Sequence, residues 1–273
     1  MVELEIDRLN DELENGEKSL ILSGEALSGW RFPSEAIEPT VLDFAQHFDE
    51  VVGIAYIREP VSYIRSSMQQ HVKRFPGRFD LNFHYPHYKR RLGCWVAVLS
   101  EWDLQLVPFS REYFHNQDLI SDFELRVGAE QSVKRRNIEN SSLSAEAFSL
   151  MWKYHKDLGS RYTKDEKLLL MKRAEYLLMD YGSRNFEISE EKCREVIKGN
   201  LDDVSWIMKM MGSELPHHNK MEDAVVFSSE DDILDFAGSL NVDPSRLMCS
   251  LPRQSGIFRR KAARKIRQIF KFS

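Results

Sequence analysis

The sequence is poor in cysteine and has no long apolar run, and both features limit the classes of protein to which it can belong. Its 273 residues include three cysteines, which are far apart and form no Cys-x-x-Cys pair: Cys94, Cys193 and Cys249. An odd number at such spacing is typical of reduced thiols in a reducing compartment. No run of about 18 apolar residues occurs, so no membrane-spanning helix is predicted. The N-terminal segment that begins at Glu3 is rich in acidic residues, unlike a signal peptide. We therefore expect a cytoplasmic protein.

The composition also lacks the excess of positive charge that marks many nucleic-acid-binding proteins. Lys and Arg number 38 against 43 Asp and Glu, which gives a net charge of −5. We therefore expect no nucleic-acid partner. Hydrophobic residues make up 42% and aromatic residues 11% of the chain, which is enough for a core, and the mean hydropathy of −0.45 favours a soluble protein. The length suits one large domain or one domain with a helical appendage.

The first half of the sequence alternates between strand-like and helix-like segments. Three apolar runs of strand length lie at residues 18–23, 51–57 and 104–109. They lack clean apolar–polar alternation, as strands of a parallel sheet do when helices cover both faces. Helical patterns lie around residues 39–48, 61–73 and 85–100, so an α/β fold is predicted. From about residue 143 nearly all of the pattern is helical. We expect an α/β core at 1–142, a helical region packed on it at 143–256, and a basic amphipathic tail at 257–273.

The strongest local signal is the segment VVGIAYIREPVSYIRSSMQQHVK at residues 51–73. An apolar strand is followed at once by Arg58, then by Pro60 in the first turn of a helix; Ser66 lies further along that helix. In open α/β sheets, ligands bind beyond the carboxyl ends of the strands. An Arg guanidinium matches phosphate oxygens there, and a Ser hydroxyl adds a hydrogen bond. The alternative is an exposed Arg at a strand end and an ordinary helical Ser.

This pattern resembles the 3′-phosphate-binding motif of sulfotransferases that use 3′-phosphoadenosine 5′-phosphosulfate (PAPS). Further fragments are similar to bacterial carbohydrate-type members of that family: SLILSGEAL at 19–27, the stretch 87–128, RRNIENSSLSAEAF at 135–148, and NLDDVSWIMKMMG at 200–212. The resemblance covers roughly residues 19–212, in fragments. It implies a P-loop-NTPase-like parallel sheet, N-terminally incomplete, with helices on both faces.

The resemblance implies a nucleotide-binding transferase that moves a sulfuryl group from PAPS to a saccharide hydroxyl, without a metal. Arg58 and Ser66 would hold the 3′-phosphate of the donor. Glu25, which follows the strand-like run 18–23, would be the base that removes the proton of the acceptor hydroxyl. The alternative for Glu25 is a capping or surface glutamate.

One element of the family pattern is missing. Family members carry a Pro-Lys-x-Gly-Thr-type loop that binds the 5′-phosphosulfate through backbone amides and a Lys, and this sequence has no such loop. Either the annotated start is too late, or the chain is a decayed paralogue. Whether it is an enzyme is therefore left open. The alternative function is a catalytically inactive, sulfotransferase-like module that binds a saccharide or a membrane surface. A glycosyltransferase ranks last, because Asp202-Asp203 and Asp231-Asp232 lie in helical contexts rather than in an Asp-x-Asp metal motif.

The C-terminal tail differs from the rest of the chain in charge. From Phe258 to Phe272 it has seven Lys or Arg residues and no acid, with apolar residues at helical spacing. Such a helix suits peripheral contact with the inner, anionic membrane surface; the alternative is a terminal helix docked on the domain. His84 and His87 are spaced for one face of a helix, but no third ligand is visible, so no metal site is predicted.

Overall fold

The computed structural model describes residues 20–23, 34–129, 142–159 and 162–242. Within these ranges the protein is mixed α/β, with mostly helices and two short two-stranded sheets. Glu25 and the tail at 257–273 lie outside the described residues, so the predictions made for them remain predictions. No helix in the described part of the chain has the length and apolarity needed to cross a membrane.

The elements follow one another along the chain. In order they are α1 (Ser34–Ala45), β1 (Val52–Ile57), α2 (Pro60–Val72), α3 (Leu81–His84), α4 (Tyr88–Val98), β2 (Asp103–Pro108), α5 (Leu119–Arg126), α6 (Ala145–Leu158), α7 (Lys164–Leu178), β3 (Phe186–Ile188), α8 (Glu190–Lys198), α9 (Leu201–Met211), β4 (Val225–Phe227) and α10 (Glu230–Ser239). Short 3₁₀ turns lie at Leu99–Glu101, Arg111–Tyr113 and His115–Gln117.

The strands β1 and β2 form a parallel pair, in register from Val52 opposite Asp103 to Ile57 opposite Pro108. Parallel neighbours need a long crossover, and α2 to α4 supply it. Both strands and the mixed α/β class are as predicted. The strand predicted at residues 18–23 is wrong over its described part, because residues 20–23 have no strand structure. Ile21 and Leu22 are exposed there, so this apolar run gains no burial from an extended conformation.

The described residues form two compact units. The first contains β1, β2, α1, α3, α4, α5, α8, α9 and most of α2. Its buried apolar side chains include Ile57 on β1, Ile64 on α2 and Val107 on β2. These side chains fix the ends of the two parallel strands, where the candidate site lies.

The second unit contains α6, α7, α10 and β4, together with Phe186 at the start of β3. Its core is aromatic: Phe148 on α6 stacks on Phe186 with ring centroids 4.3 Å apart and lies 6.1 Å from Phe227 on β4. β4 is joined to the start of β3, where Val225 N donates to Asn185 O. Neither β3 nor β4 was predicted, whereas α10 falls within the predicted helical region at 143–256, although its bounds were not predicted.

Candidate functional site

Arg58 lies at the carboxyl edge of the parallel pair, as predicted from its position after β1. Phe109 follows β2 at the same edge, and the Arg58 guanidinium carbon lies 4.4 Å from the centroid of its ring, which is a cation–π contact. Arg58 is half-buried, and no carboxylate among the described residues forms an ion pair with it. Burial, and then the neighbouring Arg65, lower the pKa of Arg58. Among the described residues, the site therefore holds a partly desolvated cation with an aromatic neighbour and no carboxylate in ion-pair contact.

The backbone of Arg58 is held by helix α4. Tyr88 donates from its hydroxyl to Arg58 O at 2.6 Å, and burial raises the pKa of this phenol. The start of α4 is in turn held by Asp203 on α9, whose carboxylate accepts from Tyr88 N at 2.9 Å and from Lys89 N at 2.8 Å. His87, the residue before α4, makes no side-chain cap. Asp203 therefore caps α4 from another helix, and this cap fixes the tyrosine that holds Arg58.

A cavity of about 550 Å³ opens beyond the end of β2, within the size range of small-molecule sites. It is lined by Phe109, Ser110, Arg111, Glu112, Phe114, Gln117, Asp118, Leu119 and Asn219. The ring of Phe109 thus both contacts Arg58 and lines the cavity. Asn116 and Gln117 have φ of 53° and 55°, a left-handed conformation that is uncommon for residues other than glycine. This turn forms part of the cavity wall.

A second charged cluster lies immediately beside Arg58. Glu59 caps α2 by accepting from Val61 N at 2.8 Å and from Ser62 N at 2.5 Å. Its carboxylate also contacts His218 Nδ1 at 3.0 Å, while His218 Nε2 lies 3.2 Å from a carboxylate oxygen of Glu187. A carboxylate only accepts hydrogen bonds, so both ring nitrogens donate and His218 is an imidazolium.

The hydrogen bonds within this cluster stabilise the charged forms of His218 and Glu59. The hydrogen bonds with Glu187 and Glu59 raise the pKa of His218 to about 9. Burial alone would raise the pKa of Glu59, but the hydrogen bonds from His218 and from the first turn of α2 outweigh it and lower that pKa. Arg65 Nη1 completes the chain by donating to Glu187 at 2.6 Å. We call these four residues the Glu59–His218–Glu187–Arg65 chain.

Comparison with known proteins adds no family. A scan against protein-family models found no matching family, and searches of curated proteins and of solved structures found no match. Function is therefore inferred from the residues and geometry of the site.

The structure describes two of the three residues that the sequence analysis assigned to catalysis or donor binding. Arg58 lies at the strand edge. Ser66 lies on α2, half-buried, and makes no hydrogen bond with the described residues. No described hydrogen bond joins it to Arg58. Glu25 lies outside the described residues. The two donor-binding assignments therefore stay predictions, with Arg58 in a setting that suits an anion.

The sequence analysis did not find the partners of His218. Glu59 and Glu187 lie 159 and 31 residues away from it, and no local pattern around His218 signals either contact. His84 and His87 were weighed above as metal ligands: His84 Nδ1 lies 2.9 Å from Ser67 Oγ, 17 residues away in the sequence, and His87 Nε2 lies 3.0 Å from Asn82 O, five residues away. No group of three or more potential metal ligands was found among the described residues.

The aspartate pairs that a glycosyltransferase would use as a metal motif lie at helix starts. Asp203 caps α4, as described above. Asp232 forms a capping box with Ser229 at the start of α10, where Asp232 N donates to Ser229 Oγ at 3.2 Å and Ser229 N donates to Asp232 Oδ2 at 3.1 Å. One aspartate of each pair therefore has a structural role.

Proposed function

We propose that the carboxyl edge of β1 and β2 binds the 3′-phosphate of an adenosine nucleotide, and that the protein is a PAPS-binding, sulfotransferase-like protein. Arg58 supplies the charge and Ser66 a hydroxyl. The donor is PAPS, and the acceptor is a saccharide hydroxyl. In this proposal β1, its helical crossover and β2 are part of a P-loop-NTPase-like sheet.

The observation that supports the proposal best is the state of Arg58. Arg58 is half-buried and forms no ion pair with any residue that the structure describes. A cation in that state costs free energy, and a protein tolerates it most readily where a ligand supplies an anion. The guanidinium fork matches two phosphate oxygens, and the Phe109 ring limits the orientations that the side chain can adopt. The position beyond parallel strands is where α/β proteins bind nucleotides.

Ser66 fits this role by its position on α2. It lies four residues after Ser62, so both hydroxyls lie on one face of the helix. The Ser62 hydroxyl is directed to Glu59 O at 3.4 Å, at the end of the helix that adjoins Arg58. Ser66 makes no hydrogen bond with the described residues, and in this proposal its hydroxyl donates to a phosphate oxygen.

The cavity beside Phe109 offers room for the acceptor. Its lining combines aromatic rings with the polar side chains of Ser110, Gln117 and Asn219, and such side chains suit a polyhydroxylated ligand. Transfer would depend mainly on holding the sulfuryl group and the acceptor oxygen in line. In this proposal Glu25 remains the base.

Adenosine 3′,5′-bisphosphate tests the donor site without requiring turnover. We expect it to raise the melting temperature of the wild-type protein, since a ligand that binds only the folded state stabilises it. Arg58→Ala should abolish the shift. Arg90→Ala is the matched control, because Arg90 is an exposed arginine of α4 and its loss should leave the shift unchanged. No shift at millimolar nucleotide, or an equal shift in Arg58→Ala, would refute the proposed site.

The second candidate is a binding module without transferase activity. At the described strand edge, the carboxylate next to Arg58 is Glu59, whose hydrogen bonds and lowered pKa make it a poor general base. Catalysis would therefore depend on Glu25, which lies outside the described residues, and this favours the module. Incubation with PAPS and a panel of saccharides separates the two candidates. Nucleotide binding without any sulfated product would favour the module, and a sulfated product would exclude it.

A further inference from the structure

Glu59 poses an electrostatic problem for an anion site at Arg58. The two residues are adjacent in the chain, and the Glu59 carboxylate acts on the guanidinium, since its charge raises the pKa of Arg58 against the effect of burial. Without a compensating positive charge, the Glu59 carboxylate would repel a phosphate and would offset part of the positive charge of Arg58. An anion site therefore needs a neighbouring positive charge to offset Glu59.

His218 provides that charge from a distant part of the sequence. It belongs to the segment of residues 213–222, which joins α9 to β4 without helix or strand. The imidazolium bridges Glu59 and Glu187 at 3.0 and 3.2 Å, and Met221 N donates to Glu187 Oε1 at 3.3 Å. These contacts fasten the segment at the strand edge, and the next residue, Asn219, lines the cavity.

The charges of the Glu59–His218–Glu187–Arg65 chain and of Arg58 sum to one positive charge. Glu59 and Glu187 contribute two negative charges, and His218 and Arg65 contribute two positive charges, so the Glu59–His218–Glu187–Arg65 chain is neutral. Arg58 remains as the cation beyond this balance.

The other ionisable groups that act on the cluster do not change the count. Among the described residues they are Glu190 and Cys193 on α8, Lys220 in the same segment as His218, and the phenols of Tyr63 on α2 and Tyr88 on α4. The Tyr88 phenol stays neutral, because burial raises its pKa. Glu190 pairs with Arg194 on the exposed side of α8. Cys193 stays a neutral thiol, because burial and then Glu59 and Glu187 raise its pKa to about 12. Lys220 is exposed.

We propose that His218 is a positioning residue that neutralises Glu59 and fastens residues 213–222 beside Arg58, so that Arg58 retains its charge for an anionic ligand. The ligand is the phosphate group of the nucleotide, and this part of the inference rests on the proposed function. His218 itself need not touch the ligand.

The affinity for the nucleotide should decrease as His218 loses its proton. The folded-state pKa of His218 is raised to about 9 from an ordinary value near 6.5. The imidazolium is therefore present below about pH 9 and is lost as the pH rises through that value. Affinity for adenosine 3′,5′-bisphosphate should fall between about pH 8 and pH 10, although Arg58 and the phosphate keep their charges over that range.

The test uses His218→Gln, with His217→Gln as the matched control. His217 is the neighbouring residue and is exposed. At pH 7 we expect His218→Gln to bind adenosine 3′,5′-bisphosphate about tenfold more weakly than the wild type and to show no further loss up to pH 10. His217→Gln should follow the wild-type profile. Equal affinity and the same pH profile in His218→Gln would overturn the inference.

A double variant separates charge from a simple loss of fold. Glu59→Gln combined with His218→Gln removes one negative and one positive charge together, so we expect it to bind the nucleotide more tightly than His218→Gln alone. A purely structural role of His218 predicts no such recovery, and its absence would contradict the inference.

The fastening of the segment is measured independently of nucleotide binding. Trypsin should cleave at Lys220 faster in His218→Gln than in His217→Gln, and NMR titration should give His218 a pKa well above 6.5. Cleavage at equal rates, or an unshifted pKa, would overturn the fastening even if the nucleotide binds. Failure of the wild type to bind the nucleotide, with these two results as expected, would refute the proposed function and leave the fastening intact.

Discussion

Replacing Asp203 with alanine removes the carboxylate that caps helix α4. Two backbone N–H groups, of Tyr88 and Lys89, would lose acceptors at 2.9 and 2.8 Å. His87 offers no substitute, because its side chain does not cap the helix. Loss of an N-cap costs about 0.5–2 kcal/mol, and hydrogen bonds to a charged group lie at the upper end of such values. We therefore expect Asp203→Ala to lower the free energy of unfolding by about 2 kcal/mol.

Urea unfolding at neutral pH, read as a change in midpoint at constant slope, measures this loss. Asp202→Ala is the matched control: Asp202 lies in the same first turn of α9 and is exposed, so its removal costs the same favourable interaction with the α9 dipole but breaks no cap. Equal destabilisation by the two variants would refute the cross-helix cap. Since Tyr88 also holds Arg58 O, Asp203→Ala should weaken nucleotide binding as well, whereas Asp202→Ala should not.

Two further predictions concern the second unit. A Cβ on Gly77 would lie 2.2 Å from ring carbons of Trp152, so Gly77→Ala should destabilise the protein by about 1–3 kcal/mol; Gly93→Ala, whose nearest neighbour to the Cβ is 3.9 Å away, should be neutral or stabilising in the same thermal melt. His155 is buried, and its Nε2 is hydrogen-bonded to Val72 O at 3.0 Å. Burial lowers the pKa of His155 to about 4. The unfolded chain therefore binds a proton that the folded protein does not, and up to about 3 kcal/mol of stability should be lost as the pH falls from 6.5 to 4; a urea midpoint in His155→Gln with the same pH dependence as the wild type would exclude this cause.

The elements predicted from sequence are those with strong local patterns. β1 was located to within a residue from its β-branched run, and α6 and α9 fall within the helical region predicted from residue 143, because such patterns come from the side chains that the elements bury. β4 was missed because three residues carry no periodicity. α10 falls within the predicted helical region, where Asp231-Asp232 were placed in a helical context, but its bounds were not predicted although Ser229 and Asp232 form a capping box.

The site divides in the same way. The position of Arg58 at the strand edge was predicted because its signal is local: a strand, an arginine, and a proline that begins a helix. Its role in donor binding stays a prediction. The contacts of His218 with Glu59 and Glu187 were not predicted, because they depend on the tertiary fold that brings residues 59, 187 and 218 together. Asp203 was noticed only as part of an aspartate pair, and its role as a cap on another helix depends equally on that fold.

The burial of the Glu59–His218–Glu187–Arg65 chain also sets how it responds to dissolved salt. Mobile ions at physiological concentration screen charges over about 8 Å, and they act mainly on groups that water reaches. The Arg194–Glu190 pair, with side chains 62% and 70% exposed, falls within their reach, whereas the Glu187 side chain is 3% exposed. Raising the ionic strength should therefore weaken the surface ion pair but have little effect on the Glu59–His218–Glu187–Arg65 chain. The strand edge should then keep its arrangement in concentrated salt.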